Sequence, residues 1–161
     1  VKLIDIIFGR TVIQCATTSF CFLMFIPLIF FGAIDFPENT SLVVGSWLLV
    51  LWYGMSFAFI GGAITGLFKL GQKYVILINV IHVWITGAFF MVDWFPEKYR
   101  ELLLIFPMVN ATEMMRDGLF GNIVRSHYSI LYIVLFNIVL TYVGLAMIRQ
   151  LSLRGAMDDS D

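Results

Sequence analysis

Apolar residues fall into four long blocks separated by short polar interruptions, and each block suits a membrane-crossing helix better than one face of a soluble one. The first covers residues 11–34, through Val12-Ile13 and on from Phe20 to Phe31. Pro27 is placed to kink it, which membrane helices tolerate when neighbours re-satisfy the backbone. Asp35-Phe36-Pro37-Glu38-Asn39-Thr40-Ser41 then reads as a polar turn. The second block, residues 42–68, carries the aromatics Trp47, Trp52, Tyr53, Phe57 and Phe59. It ends in the small residues Gly61-Gly62-Ala63 and Gly66, which let helices pack closely in lipid. Lys69, Leu70, Gly71, Gln72 and Lys73 form a short loop into the third block, residues 74–92. The fourth covers residues 128–148, and a short tail with Arg149 and Arg154 runs to the acidic Asp158-Asp159-Ser160-Asp161.

Between the last two blocks, residues 93–127 are too long for a simple turn and too patterned for a disordered one. Pro96 followed by Glu97 predicts a short helix, with proline at its first position and an acid facing the positive dipole end. That helix should stop before Pro107. Asn110 with Glu113 three residues on resembles a capping box opening a second short helix, closed by Gly118 or Gly121. Each piece, about ten residues or roughly 15 Å, is half the hydrocarbon thickness. Two such pieces between spans suggest a re-entrant hairpin or a pair lying at the interface. An ordinary extramembrane loop with two amphipathic helices is the plainer alternative.

Composition supports the membrane reading. Of 161 residues, 60% are hydrophobic and only 13% charged, and the mean hydropathy is +0.93, beyond ordinary globular domains. The formal net charge of -1, with no basic stripe, sets nucleic-acid binding aside. Cys15 and Cys21, six positions apart in the first block, point to different helix faces and predict inert embedded thiols. No signal peptide precedes the charged, amphipathic opening at Val1, so upstream material is expected to be missing.

Lysine and arginine in the flanks set the orientation. Lys2 and Arg10 precede the first span, Lys69 and Lys73 separate the second and third, and Arg149 and Arg154 follow the fourth, whereas the loop between the first two spans has none. Four spans put these three positive flanks on one side, so both termini are expected in the cytoplasm. The outward region holds Lys98, Arg100, Arg116 and Arg125, offset by Glu97, Glu101, Glu113 and Asp117.

Little in the chain suggests catalysis. The predicted spans hold no Asp or Glu, and their only imidazole, His82, reads more readily as hydrogen-bonded to a neighbouring helix than as catalytic. Gly45-Ser46 lacks the flanking glycine and partner histidine of a hydrolase elbow. No Walker A loop, zinc signature or dinucleotide fingerprint is present. A secondary transporter would want embedded ionisable groups and often two repeats, and neither is visible. Transport energy is therefore expected from another subunit. Glu113 and Arg116, at i and i+3, can pair on one helix face, either as a structural ion pair or as a polar element gating a pore mouth. Trp47, Trp52, Tyr53 and Phe57 are candidates for stacking on sugar rings, although aromatics at helical spacing more often anchor helices in lipid.

Two stretches carry a family resemblance. Val1-Lys2-Leu3-Ile4-Asp5-Ile6-Ile7-Phe8-Gly9-Arg10 resembles the entry to the third membrane helix of ABC-2 permeases that export polysaccharide, approximately V-K-P-I-D-x-I-x-x-R. Phe106-Pro107-Met108-Val109-Asn110-Ala111-Thr112-Glu113-Met114-Met115-Arg116 resembles their N-P-L-V-H-x-x-E-x-x-R, between the last two helices. Phe95-Pro96 and Tyr99 stand where the family has a proline and an aromatic. Leu3, Phe106 and Asn110 replace the family's proline, asparagine and histidine.

This resemblance covers essentially the whole chain. It implies an all-α, polytopic helical bundle of the ABC-2 type in a bacterial inner membrane, with this chain supplying helices three to six of six. Two permease copies would line a channel for a capsular polysaccharide or lipid-linked glycan. Two ATP-binding subunits would hold the ATP and magnesium, with no cofactor in this chain. Lys69, Leu70, Gly71, Gln72 and Lys73 match the loop that docks on the ATPase. Residues 96–121 match the outer re-entrant helices, with Pro107, Asn110, Glu113 and Arg116 as re-entrant or gating residues. Other ABC-2 cargoes (teichoic acid, O-antigen, a lipid or a drug) stand as the alternative. An intramembrane enzyme of lipid or glycan metabolism and a membrane scaffold are the other classes.

Overall fold

In this computed structural model, residues 3–32, 35–68 and 70–158 are described, without the side chains of residues 3–8, 10, 21, 25, 122 and 154–158. The side chains of the opening motif and of Cys21, together with Lys69 and the last acidic residues, therefore lie outside the described set. Among the described residues all regular structure is helical.

Helix α1, Leu3–Leu23, stops three residues short of the proline that was expected to kink the first span. Pro27 has no N–H to give the Leu23 carbonyl and its ring crowds that oxygen, so the ladder breaks at Met24. The chain resumes as the short α2, Phe25–Phe30. Helix α3, Thr40–Leu67, starts where Asn39 caps it, its Oδ1 accepting from the Leu42 N–H and the Ser41 hydroxyl. Helix α4, Gly71–Ile85, closes well before the expected end at residue 92. After a turn at Val92–Trp94 come α5, Glu97–Leu104, and α6, Pro107–Phe120. Helix α7, Ile130–Asp158, completes the chain.

The second of these two helices does not begin at a capping box. Pro107 takes its first position, where a missing N–H costs nothing, and Asn110 lies inside the first turn. Gly118 stays within α6, and Gly121, with φ 51°, closes it in a conformation other residues rarely adopt. Pro96 caps α5 from outside its first turn, with Glu97 as the first helical residue.

Helix α3 is central and packs on α1, α4, α6 and α7. Its amino end meets α6, where the Asn39 N–H donates to the Gly118 carbonyl at 2.9 Å. At its other end Gly66 lies against Leu151 of α7. The distribution of side chains is that of a protein solvated by lipid. Ser46, Ser56, Asn110, Glu113 and Asn137 are buried, while large apolar residues such as Ile13, Phe20, Leu77, Val80, Leu131 and Val139 face outward. Thr40–Leu67 and Ile130–Leu153 are long and apolar enough to cross a bilayer. The fold is thus that of a helical membrane protein.

Lipid supplies no hydrophobic drive between helices, so buried polar groups join α3 to α7. Asn137 Nδ2 donates to the Leu49 carbonyl, and Ser56 and Thr141 share a hydrogen bond of 2.7 Å.

Candidate functional site

Two polar features stand out. The first is a hub on α6. Glu113, only 1% exposed, accepts the Val92 N–H on Oε1 at 3.2 Å and the His127 N–H on Oε2 at 3.4 Å. Arg116 pairs with Oε1 through Nη1, while Nη2 donates to the carbonyls of Gly87 at 3.0 Å and Phe90 at 3.2 Å. Asn110 donates through Nδ2 to the Leu104 and Phe106 carbonyls and accepts the Ser129 N–H on Oδ1. Thr112 reaches the Thr86 carbonyl at 2.9 Å. One helix face thereby ties down the loop after α4, the corner before α6 and the stretch of chain entering α7. Helical spacing delivers all four groups: residues 110, 113 and 116 share a stripe, and Thr112 flanks it.

A shell of partly exposed charge surrounds the hub. Arg100 bridges to Asp93 at 3.0 Å, and His127 Nε2 lies 3.5 Å from the same carboxylate. The Tyr128 hydroxyl donates to Asp117 at 2.8 Å. Burial, and then the bond to this carboxylate and its charge, push the phenol above its ordinary pKa.

The second feature is a groove of about 390 Å³ between α1, α3 and α4, lined by Gln14, Tyr53, Phe57, Asn79, His82 and Met108 among others. A smaller cavity of about 180 Å³ shares Tyr53, His82 and Met108 and continues to Phe106 and Pro107 at the base of α6. The His82 ring stacks on Tyr53 at 5.4 Å and on Phe57 at 5.1 Å, nearly parallel to both. Tyr53 lies midway along α3, thirteen residues from Thr40 and fourteen from Leu67. The groove therefore opens at the depth of the helix centre.

The expected site residues divide accordingly. Asn110, Glu113 and Arg116 come together in the hub, with Pro107 at the start of the same helix, and the Glu113–Arg116 pair forms. Tyr53 and Phe57 share the groove, whereas Trp47 stacks on Phe22 of α1 at 5.0 Å and Trp52 bonds to Thr141 of α7 at 2.9 Å. The four aromatics thus serve three different contacts. Of the loop, Leu70, Gln72 and Lys73 are exposed and Gly71 is pressed against the Ile64 carbonyl, with no room for a side chain. Gln14, Asn79 and Thr112 were not singled out from the sequence. Gln14 with Thr18, and Asn79 with His82, are polar pairs at helical spacing inside apolar blocks, and that was the available signal.

These features define a helical membrane protein whose polar groups are gathered inside and at one end. The chain is homologous to inner-membrane proteins that export polysaccharide. It is 31% identical over 153 residues to the capsule polysaccharide export inner-membrane protein CtrC of Neisseria meningitidis serogroup B, covering 94% of this chain and 58% of that one. It is 30% identical over 153 residues to BexB of Haemophilus influenzae, which carries the same description, with the same two coverages. The polysialic acid transport protein KpsM of Escherichia coli is 24% identical over 151 residues, 92% of this chain and 58% of that one. This homology supports the ABC-2 polysaccharide-export permease family to which the two motifs pointed. The chain spans 58% of the length of the relatives it matches. No protein-family model and no solved structure matches it.

Proposed function

We propose that this chain is the membrane part of a permease subunit in an ATP-driven exporter that moves a capsular polysaccharide or lipid-linked glycan across the bacterial inner membrane. The observation that carries this reading is homology along 94% of the chain to proteins named for capsule polysaccharide export. Four crossings, by α1 with α2, α3, α4 and α7, would leave both ends in the cytoplasm and α5 and α6 outside. The Asn39–Gly118 bond at one end of α3 and the Gly66–Leu151 contact at the other support that arrangement. Helix α4, fifteen residues or about 22 Å, falls short of the hydrocarbon thickness alone. The irregular residues 86–91, tied to α6 by Arg116 and Thr112, would complete its passage within protein, where non-helical backbone is tolerated. The loop at Lys69 to Lys73 would meet a separate ATP-binding subunit, and two permease copies would enclose the path.

The test is genetic. Inactivating the ATP-binding partner should abolish surface glycan while this protein remains in the membrane; undiminished export without the ATPase would sink the reading. Single cysteines at Asn39 and Lys98 should label from outside the cell and one at Lys73 only after permeabilisation.

A further inference from the structure

We propose that residues 86–91 are a two-state segment: irregular chain while α6 holds their carbonyls, and a continuation of α4 when it lets go. The stretch Thr86-Gly87-Ala88-Phe89-Phe90-Met91 carries no charge and no proline, so its composition does not forbid a helix. Gly87, with φ 77°, takes the left-handed conformation that often closes a helix. Glycine alone does not decide the matter, because α3 runs unbroken through Gly45, Gly54, Gly61, Gly62 and Gly66. Wound through Met91, α4 would be about 31 Å long, the thickness of the hydrocarbon, against about 22 Å for the helix that stops at Ile85.

What holds the segment out of the helix is a competition for two acceptors. In a continuous helix the Thr86 and Gly87 carbonyls accept from the N–H groups of Phe90 and Met91. Here Thr112 takes the first at 2.9 Å and Arg116 the second at 3.0 Å, and Arg116 also reaches the Phe90 carbonyl at 3.2 Å. Release strands neither donor, so the exchange is close to balanced. The Thr112 hydroxyl also lies 3.0 Å from the Val109 carbonyl of its own helix, and Arg116 keeps its pair with Glu113. Val92, whose N–H is held by Glu113 at 3.2 Å, marks the far boundary of the segment. Two arrangements that differ by a swap of hydrogen-bond donors form a bistable element of the kind conformational changes use. Helix α4 begins at the loop proposed to meet the ATP-binding subunit, so winding and unwinding of its far end would be a step of transport. That last step rests on the export reading; the segment's two states do not.

Hydrogen exchange at the Phe90 and Met91 amides tests the switch, in the full-length protein with its partner subunits in detergent. Gly87→Ala favours the wound state, since alanine resists the left-handed conformation and gains in a helix, and its Cβ would lie 2.7 Å from Thr112 Oγ1. Thr112→Val removes the competing hydroxyl and leaves the backbone alone. Exchange at both amides should slow, by about fivefold in the alanine variant. A segment that α6 merely braces would loosen instead, so exchange that is unchanged or faster would overturn the proposal. Thr112→Val decides the matter if the alanine variant does not accumulate. In glycan-producing cells, Gly87→Cys with Thr112→Cys, in a background of Cys15→Ser and Cys21→Ser, brings two thiols within reach of a disulfide that fixes the irregular state. Export should fall on oxidation and return with reductant, and undiminished export with the bridge formed would overturn the switch as a step of transport. Absence of surface glycan even with the unaltered protein would strike the export reading, while the exchange measurement would still judge the segment.

Discussion

Trp52 of α3 and Thr141 of α7 are joined by an indole N–H to hydroxyl hydrogen bond of 2.9 Å across 89 positions of sequence. Thr141 donates in turn to the Asn137 carbonyl and shares a contact with Ser56, so one hydroxyl serves both helices. Thr141→Val keeps the shape and removes the oxygen, leaving the indole N–H without an acceptor. A loss of about 0.6–2 kcal/mol of stability is expected, the range for interhelical bonds in membranes. Unfolding in mixed detergent micelles would measure it. A double-mutant cycle with Ser56→Ala should return less than the sum of the single effects, because both changes break the same bond.

Glu113 carries a larger expected effect because of what its loss leaves behind. Its carboxylate is the acceptor for Arg116, the Val92 N–H and the His127 N–H, and it is buried. Glu113→Ala strands a cation and two backbone donors, and about 3–5 kcal/mol is expected. Glu113→Gln should fall between, since an amide can satisfy part of the set but turns donors toward donors. Thermal unfolding of the three proteins in detergent gives the order directly; an alanine variant as stable as the parent would refute the hub.

Much of this architecture could be read from the chain, and what could not was long-range. The ends of α3 lie within two residues of those the apolar pattern predicts, because Asn39 and the polar turn before it are local signals. The early end of α4 had no such signal. Residues 86–91 leave the helix where Gly87 takes φ 77° and its carbonyl is claimed by an arginine 29 positions away. Asn110 misled for a related reason. Its spacing to Glu113 mimics a capping box, yet Pro107 had already opened the helix and the Asn110 side chain was committed to Leu104, Phe106 and Ser129. The Glu113–Arg116 pair was legible because i, i+3 geometry is local. The groove was half legible: its aromatics were visible, but nothing in the sequence shows that Gln14 and Asn79 line one cavity.

Alkaline pH should loosen the packing of α6 against the chain entering α7 through Tyr128. Burial and Asp117 hold its folded pKa above the unfolded value of about 10. A group raised in this way contributes its stability in full below the unfolded value and loses it as pH climbs through the folded one. Stability of the parent should therefore fall above about pH 10, beyond what Tyr128→Phe shows over the same range. At neutral pH the phenylalanine variant should be weaker by about 0.5–1 kcal/mol, a modest figure because the phenol is only half-buried. Identical alkaline slopes for the two proteins would remove Tyr128 from the account.

Lys73 provides the sharpest separation of function from stability. It is exposed in the first turn of α4, where the helix dipole presents positive charge and no acidic residue offsets it. A cation there opposes the dipole, so its presence is not explained by helix stability. The other end of α4 leads into Thr86 and Gly87, whose carbonyls are held by Thr112 and Arg116, and the same helix thus joins the proposed ATPase contact to the hub on α6. Reversing charge with Lys69→Glu and Lys73→Glu should lower export severalfold while membrane insertion is unchanged. Lys73→Glu alone should leave α4 slightly more stable, by about 0.3–1 kcal/mol, because an acid suits that end of the helix. Export and unfolding would then move in opposite directions. Export that survives the double reversal would refute the coupling role, and export lost in step with stability would assign the lysine to the fold.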